Sequence, residues 1–411
     1  MIKELHLKNW KSFESATLYI DPLSILIGPN ASGKSNILDA FLFLYRISWG
    51  KQLINAVNGD NESTSIRGGI DWVVRKGESN CEISVVVGAD NQDYKYTIQF
   101  QKSNGSKLEI TGEFLEKINS KKISKRLFYT KEIDEESVII PAYFSTGTQG
   151  KGTVKNLNRS FSILSQLETL DVPKEVKEVG IKVLNTLKSI FILDPIPNHM
   201  RSYTKLSSQL QADASNLAGV LAALDEERKN EVEKLITQYV SRLPERDVQK
   251  VWAETVGKFG TDAMLYCQEK WNVEETIDVD ARGMSDGTLR FISIITALLT
   301  GKENSLLIVE EIDNGLHPSR AHELVRMLME LGKKRNIDVL CTTHNPALID
   351  AFGVTMIPFI QYVYRDKNSG ISKIKLLEDF DKLAKIMASG SIGYQMVEGN
   401  LEKELERDGD E

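Results

Sequence analysis

The sequence predicts an α/β protein with a mainly parallel sheet, an antiparallel β lobe and an inserted helical segment. Three observations carry this. Leu23-Ser24-Ile25-Leu26-Ile27 is a short apolar run ending at a glycine, as expected of a strand buried on both faces, and after a loop the stretch Asn36 to Tyr45 is rich in Leu, Phe and Ala with helical character. From Cys81 to about Phe144 apolar residues alternate in Ile83/Val85/Val87, Tyr94/Tyr96/Ile98/Phe100, Leu108/Ile110 and Val138/Ile139/Ile140, with a turn signal at Asn104-Gly105, which describes an antiparallel meander. From about 263 the chain runs through strand-like segments, a helix (288–300), a buried strand (305–309), a helix (319–335) and a strand (337–342). That alternation implies right-handed crossovers in a mainly parallel sheet.

The remaining elements fit around these. Residues 2–8 alternate through Ile2, Leu5 and Leu7, and a second alternating stretch runs from Ala16 to Ile20. Residues 155–245 read as mostly helical, with helices expected near 174–191, 215–224 and 227–243, and Asp194-Pro195-Ile196-Pro197-Asn198 as a rigid connector. The end of the chain carries Glu402, Glu404, Glu406, Asp408, Asp410 and Glu411 and is expected to be a solvated tail. The expected organisation is an N-terminal lobe (1–154), a helical insertion (155–245), a C-terminal lobe (246–375) and an acidic tail (376–411). No internal repeat and no long heptad stretch is present.

Composition narrows the class. The chain has 411 residues, 41% of them apolar and 27% charged, the balance of a soluble globular protein. A net charge of −7 argues against a surface coated in basic groups, so nucleic acid would have to be held by a local patch. Cys81, Cys267 and Cys341 are far apart and form no CxxC pair, which fits a reducing compartment, small buried thiols and no metal site. Met1 to His6 has no apolar signal core, and no stretch approaches the roughly 18 apolar residues of a membrane span. A cytoplasmic location without membrane contact is expected.

The loop after the first buried strand, Gly28-Pro29-Asn30-Ala31-Ser32-Gly33-Lys34-Ser35, matches G-x-x-x-x-G-K-[ST] between a strand and a helix. Gly28 and Gly33 permit the tight curvature that lets amide N–H groups approach phosphate oxygens. The helix N-terminus adds partial positive charge, Lys34 a point charge for the β/γ-phosphates, and the Ser35 hydroxyl a ligand for Mg²⁺. The sequence therefore predicts ATP binding and hydrolysis.

Three further motifs bear on the class of ATPase. Leu306-Leu307-Ile308-Val309 ends in Glu310 and Glu311, at the edge where ligand-facing residues leave a parallel strand. Glu310 would support Mg²⁺ and Glu311 would orient or deprotonate the attacking water. Taken alone, the pair fits a strand ending in a solvated turn equally well. A second buried strand, Asp338 to Thr342, leads to Thr343-His344 at the same edge, where the imidazole can bond the γ-phosphate or the water. Met284-Ser285-Asp286-Gly287-Thr288 opens an amphipathic helix and supplies a second anion-binding device. One protomer has no need of two phosphate cradles, so the second would complete the site of another copy.

With these motifs in order, the chain resembles the ABC-type ATPase heads of the RecF, SMC and OLD-like group. The resemblance rests on Leu5-His6-Leu7-Lys8-Asn9-Trp10-Lys11-Ser12-Phe13, the loop through Asn36, the signature-like segment at 284–288, Glu310-Glu311-Ile312-Asp313-Asn314-Gly315-Leu316-His317-Pro318, and Thr343-His344-Asn345-Pro346. It implies ATP and Mg²⁺ held by residues 28–36 with Lys11, catalysis by Lys34, Glu311 and His344, and metal support from Ser35 and Glu310. It also implies a homodimer that sandwiches two nucleotides, with Ser285, Asp286 and Gly287 acting across the seam and Asp313 and Asn314 near it. Glu310 stands where the family has aspartate, a departure that implies an indirect contact with Mg²⁺. Gln149 and Gln166 are the candidates for the Q-loop glutamine. The 67 residues after His344 leave no room for the Toprim nuclease of OLD proteins, so an effector such as a nuclease would be a separate polypeptide.

Two functions compete. One is an ATP-gated dimeric switch controlling a partner effector, in anti-phage defence or DNA maintenance. The other is a RecF-like repair ATPase that touches DNA, with Lys121, Lys122, Lys125, Arg126, Lys151, Lys155 and Arg159 as the basic surface. A small-molecule kinase leaves Ser285-Asp286-Gly287 and His344 unexplained. The tract Leu206 to Leu224, with Asp213-Ala214-Ser215-Asn216-Leu217, has no chemical role in either, and Asp213 or Ser215 is expected to cap a helix there.

Overall fold

The structure is a computed structural model that describes residues 1–103, 107–119, 122–131, 137–145, 152–243, 248–272 and 275–408. The chain divides into two compact units, one of Met1–Asp21, Gly28–Ile190 and Gln361–Lys375, the other of Pro22–Ile27, Phe191–Ile360 and Leu376–Glu411.

The first unit is built on an antiparallel run. Ile2–Trp10 pairs with Phe13–Tyr19 on one side and Asn80–Ala89 on the other, and the ladder continues through Gln92–Ser103, Lys107–Asn119, Lys122–Thr130, Ile139–Phe144 and Thr153–Asn158. The four expected strands of the meander are present; Lys122–Thr130, which was not expected, lies between the third and fourth, and Thr153–Asn158 extends the ladder into the region read as helical. Helices Lys34–Ser48 and Lys174–Lys188 pack together in this unit. Trp10, Phe43 and Phe100 meet as tilted rings with centroids 5.8 and 5.2 Å apart, an aromatic seam that anchors the helix following the glycine loop.

One polar cluster lies deep in this lobe. The Glu113 carboxylate is fully buried and accepts hydrogen bonds from Tyr96 Oη (2.9 Å), Ser162 Oγ (2.8 Å) and the amides of Ile163 (2.8 Å) and Leu164 (2.9 Å). Burial pushes its pKa up to about 6, against those bonds, which favour the ionised form. A folded-state value above the unfolded one means the contribution is full below about pH 4.3 and is lost as pH rises through about 6, worth about 2 kcal/mol. Glu113→Gln should flatten the urea-midpoint profile across that window. It should also lower stability by about 1–3 kcal/mol at every pH, because an amide leaves one buried N–H without an acceptor. An unchanged slope between pH 4 and 6.5 would show that another group titrates.

The second unit carries the parallel strands. Ser305–Val309 runs parallel to Ile337–Thr342, which runs parallel to Leu23–Ile27, all three buried along their length except at the half-buried Asp338. Ile190–Leu193 lies beside Ser305–Val309. The helices Asp286–Thr300 and Ala321–Arg335 match the expected ones to within two residues at either end. A smaller antiparallel sheet is formed by Thr204–Lys205, Val248–Val256, Asp262–Lys270 and Thr276–Asp280. Helix Glu226–Val240 covers Val248–Val256, where Thr237 Oγ1 accepts from the Val251 amide and Glu233 Oε1 from the Ala253 amide. Side chains thereby satisfy backbone donors that an open strand edge would expose.

Three expectations are corrected. The segment after 376 is not a solvated tail throughout: helices Leu383–Ala388, Ile392–Val397 and Asn400–Asp408 follow, with Ile392, Leu401 and Leu405 buried. Neither Asp213 nor Ser215 caps helix Leu217–Ala222; its N-cap is Asn216, without a side-chain cap bond. Arg159 is not a surface charge. It is buried and donates to Ile110 O and Ser137 O, because the extended guanidinium satisfies carbonyls between strands. Lys125 and Arg126 of the same basic group pair with Glu175 and Glu116. Lys121 and Lys151 lie outside the described residues, as do the Asn104-Gly105 turn and Gln149.

Candidate functional site

The glycine loop occupies the first unit. Gly28 and Gly33 have φ of 139° and 119°, a region that side chains avoid, and Ala31 is left-handed at 61°. A Cβ on Gly28 would lie 2.0 Å from Val363 O, and one on Gly33 would lie 2.8 Å from Ser372 Oγ. The curve is held from behind: Ser372 Oγ donates to Ser32 O (2.6 Å) and shares a hydrogen bond with Ser12 Oγ, which accepts from Asn36 Nδ2 (2.8 Å). The Trp10 ring N–H donates to Asn36 O (2.7 Å). The Lys34 ammonium turns back over the loop, donating to Gly28 O (2.6 Å) and Pro29 O (2.9 Å). Helix Lys34–Ser48 begins here, with the Asn36 and Ile37 amides donating to Gly33 O. Ser32 Oγ is buried with no hydrogen-bond partner. Curved backbone, a helix start, an ammonium and an orphaned buried hydroxyl suit a polyphosphate with its Mg²⁺.

Lys11, expected to contact ATP, lines a cleft beside the glycine loop and is engaged within the protein. Its side chain is buried, and its ammonium donates to Asp39 Oδ2 (2.5 Å) and Arg67 O (2.7 Å). Burial pulls its pKa below the usual lysine range, while Asp39 holds it up. The ion pair fixes the turn at Lys11-Ser12 to the helix after the loop. Beside that turn lies a cleft of about 650 Å³, lined among others by Asn36, Arg67, Trp72, Arg75 and Arg365. Trp72 is 65% exposed, a large ring face open at the margin of a basic cleft. None of these four beyond Asn36 was singled out by motif. An exposed tryptophan among arginines was the only signal.

The acidic edge, the histidine and the signature-like segment occupy the second unit. Register places Val309 opposite Cys341 and Thr342 opposite Leu26, so the three parallel strands end together. The next residues along the chain are Glu310, Thr343 and, after Ile27, Gly28. Glu311 has φ 45°, and its main chain is pinned on both sides: its amide donates to Thr342 Oγ1 (2.8 Å), and its carbonyl accepts from the Asn314 amide (2.8 Å) and Arg290 Nη1 (3.4 Å). Asn314 Nδ2 reaches Glu311 Oε2 at 3.4 Å. Glu310 and Glu311 are half-buried and His344 is exposed. Asp313 is buried, with Oδ1 lacking a partner. Thr343 Oγ1 accepts from the Asn345 amide and Asn345 caps helix Pro346–Phe352, which fixes the backbone on the far side of His344.

Ser285 caps helix Asp286–Thr300 by accepting from the Thr288 amide (3.1 Å). Ser285 and Asp286 are exposed, whereas Gly287 is buried against the segment after Glu311: a Cβ there would lie 2.6 Å from Gly315 O and 3.0 Å from Arg320 Nη1. The glycine is thus required by close backbone approach. Arg290 on the same helix donates to Glu311 O, so the signature-like helix is bonded to the acidic segment as well as closely packed against it. Gln166 ends a short helix and donates to Ser162 O.

Residues 23–350, more than three-quarters of the chain, match the family model described as "AAA domain, putative AbiEii toxin, Type IV TA system". The chain belongs to this family. It is 23% identical over 372 residues to an ATP/GTP phosphatase of Helicobacter pylori, across 85% of this chain and 87% of that protein. A shorter stretch of 101 residues, 24% of this chain, is 30% identical to 8% of a chromosome partition protein Smc of Clostridium kluyveri. The crystal structure of an SMC head bound to the C-winged helix domain of ScpA superposes over 91% of this chain and 96% of that one, with a TM-score of 0.54 and 13% identity. The fold is therefore that of an ABC-type ATPase head of the RecF/SMC group, a mixed α/β architecture, and the family is one of ATPases. No helix among the described residues is long and apolar enough to cross a membrane.

Proposed function

We propose that this chain hydrolyses ATP as a head-to-head homodimer whose closed state is read by a partner protein. The observation that carries it is the common end point of the three parallel strands, from which the glycine loop, Glu310-Glu311 and Thr343-His344 continue. Lys34 and the loop amides would bind the phosphates, and residues around Trp72 and Arg67 the base and ribose. Ser35 and Glu310 would hold Mg²⁺, which supplies charge neutralisation between the phosphates. Glu311 would take the proton of the attacking water, with His344 holding the γ-phosphate end.

The dimer reading is supported by the exposed Ser285 and Asp286 at the start of a helix that packs closely on Gly315 and is bonded through Arg290 to Glu311 O. A helix N-terminus presented outward suits the terminal phosphate of a nucleotide bound by another copy. The structurally similar SMC head is seen with ScpA, and a partner effector here, in anti-phage defence or DNA maintenance, is the corresponding role. The RecF-like alternative is weakened by the pairing of Lys125 and Arg126 and the burial of Arg159; salt-sensitive DNA binding would revive it.

Ser285→Arg tests the composite site. ATP binding to the isolated chain should persist, while turnover and the ATP-dependent dimer disappear in light scattering. Mixing this variant with Lys34→Ala should restore part of the turnover, since one complete site forms from two defective chains. Wild-type turnover by Ser285→Arg alone would end the proposal.

A further inference from the structure

Two tracts of the second unit have no part in the nucleotide chemistry: the connector from Leu193 to Arg201 and the tract from Gln211 to Asn216. The connector spans two functional segments. At one end, Leu193 O accepts from the Glu310 amide (3.3 Å), and the Asp194 carboxylate faces Arg290 Nη2 (3.6 Å), the side chain that also bonds Glu311 O. At the other end, Arg201 Nη2 donates both to Met284 O (2.8 Å) and to Asp286 Oδ1 (2.8 Å), and Nη1 donates back to Pro197 O (3.3 Å). One guanidinium nitrogen therefore holds a backbone carbonyl before Ser285 and a side chain after it.

The tract 211–216 fastens this connector. The Asp194 amide donates to Ala212 O (2.8 Å) and the Ile196 amide to Asp213 O (2.9 Å). Asp213 Oδ2 pairs with His199 Nδ1 (2.9 Å), while its Oδ1 accepts from the Ser215 amide (3.0 Å). Asn216 closes the tract on itself, accepting from the Gln211 amide and donating to Gln209 O. Pro195 and Pro197 stiffen the span between, and Ala214 is left-handed at φ 56° and fully buried. These bonds give a strap with one end on the acidic strand edge, the other on the signature-like loop, and a lock at its middle.

We propose that Arg201 is a positioning residue for the signature segment: it sets the direction in which Ser285 and the start of helix Asp286–Thr300 face a nucleotide on a second copy, and the 211–216 tract keeps the strap that carries it in place. This rests on the reading that Ser285 to Gly287 completes the partner's site. A misplacement of about 1 Å in such a group lowers turnover by about 100-fold without touching ground-state binding elsewhere.

The test uses the full chain with ATP and Mg²⁺. Arg201→Gln should keep the wild-type melting midpoint and ATP affinity, lose the ATP-dependent dimer, and lower kcat by about 100-fold. Arg201→Lys should recover part of this, because an ammonium keeps the charge beside Asp286 but not the double hold. Asp213→Ala, which leaves Arg201 intact, should give a smaller loss of the same kind. The decisive readout is mixing: Arg201→Gln should regain turnover with Lys34→Ala, whose signature segment is intact, and not with Ser285→Arg. If Ser285→Arg is inactive while Arg201→Gln has normal kcat, or if Arg201→Gln loses ATP affinity and melting midpoint together, the inference is wrong. If Ser285→Arg itself turns over normally, the dimer reading fails first.

Discussion

Glu311→Gln is expected to bind ATP as the parent does, to hydrolyse it about 10²–10⁴-fold more slowly, and to accumulate as a closed dimer. The structure makes this substitution clean. The backbone at 311 is set by the Thr342 hydroxyl on one side and by Asn314 and Arg290 on the other, none of which uses the carboxylate as an acceptor except the long Asn314 contact at 3.4 Å. A glutamine keeps shape and main-chain bonds and removes only the proton acceptor. Single-turnover hydrolysis, calorimetric ATP affinity and light scattering give the three readouts. Normal turnover would show that the proton leaves by another route and would remove Glu311 from the mechanism. Retained hydrolysis together with lost binding would place the side chain on the nucleotide instead.

Gly28→Ala should cost the most in binding. The methyl group would lie 2.0 Å from Val363 O, in a backbone region that alanine scarcely enters, so the loop must move away from the strand behind it. Two or more amide–phosphate bonds at about 1.5–3 kcal/mol each would be lost, giving at least about a 100-fold drop in ATP affinity. The first unit should also lose about 1–3 kcal/mol of stability. Gly50→Ala is the control: its φ of 80° carries the same kind of backbone strain, but nothing lies within 4 Å of the added carbon. A comparable loss of stability in both variants would mean that backbone strain alone, and not the Val363 contact, accounts for the loss.

What was legible in the sequence was local. The short apolar run Leu23 to Ile27 ending in glycine, a serine at a helix start, and the helices expected at 288–300 and 319–335 each depend on neighbours within one or two turns, and each formed within two residues of where the pattern placed it. Less legible were features that join distant residues. Lys11 reads as a basic group near the loop, and only the fold shows Asp39 beside it. Ser372 supports Ser32 across 340 positions, and Val363 crowds Gly28. The chain's end misled for a different reason. Its acidic composition suggested solvation, yet Leu401 and Leu405 stand four apart, the spacing of one helix face, and that face is buried. There the periodic pattern of a few apolar residues outweighed the average charge. Asp213 illustrates a third limit: its residue type suggested a cap, but its two oxygens are engaged by Ser215 and His199.

The left-handed backbone at Glu311 has a practical consequence for anyone evolving this protein. A bulky side chain at φ 45° carries a penalty of about 1–2 kcal/mol that glycine, and to a lesser degree asparagine, would not. A library sorted for heat resistance or yield should therefore enrich glycine at 311, and the clones that survive best would be those that have ceased to turn over nucleotide. Robustness and activity pull in opposite directions at this one codon, so such a screen needs a turnover assay in every round.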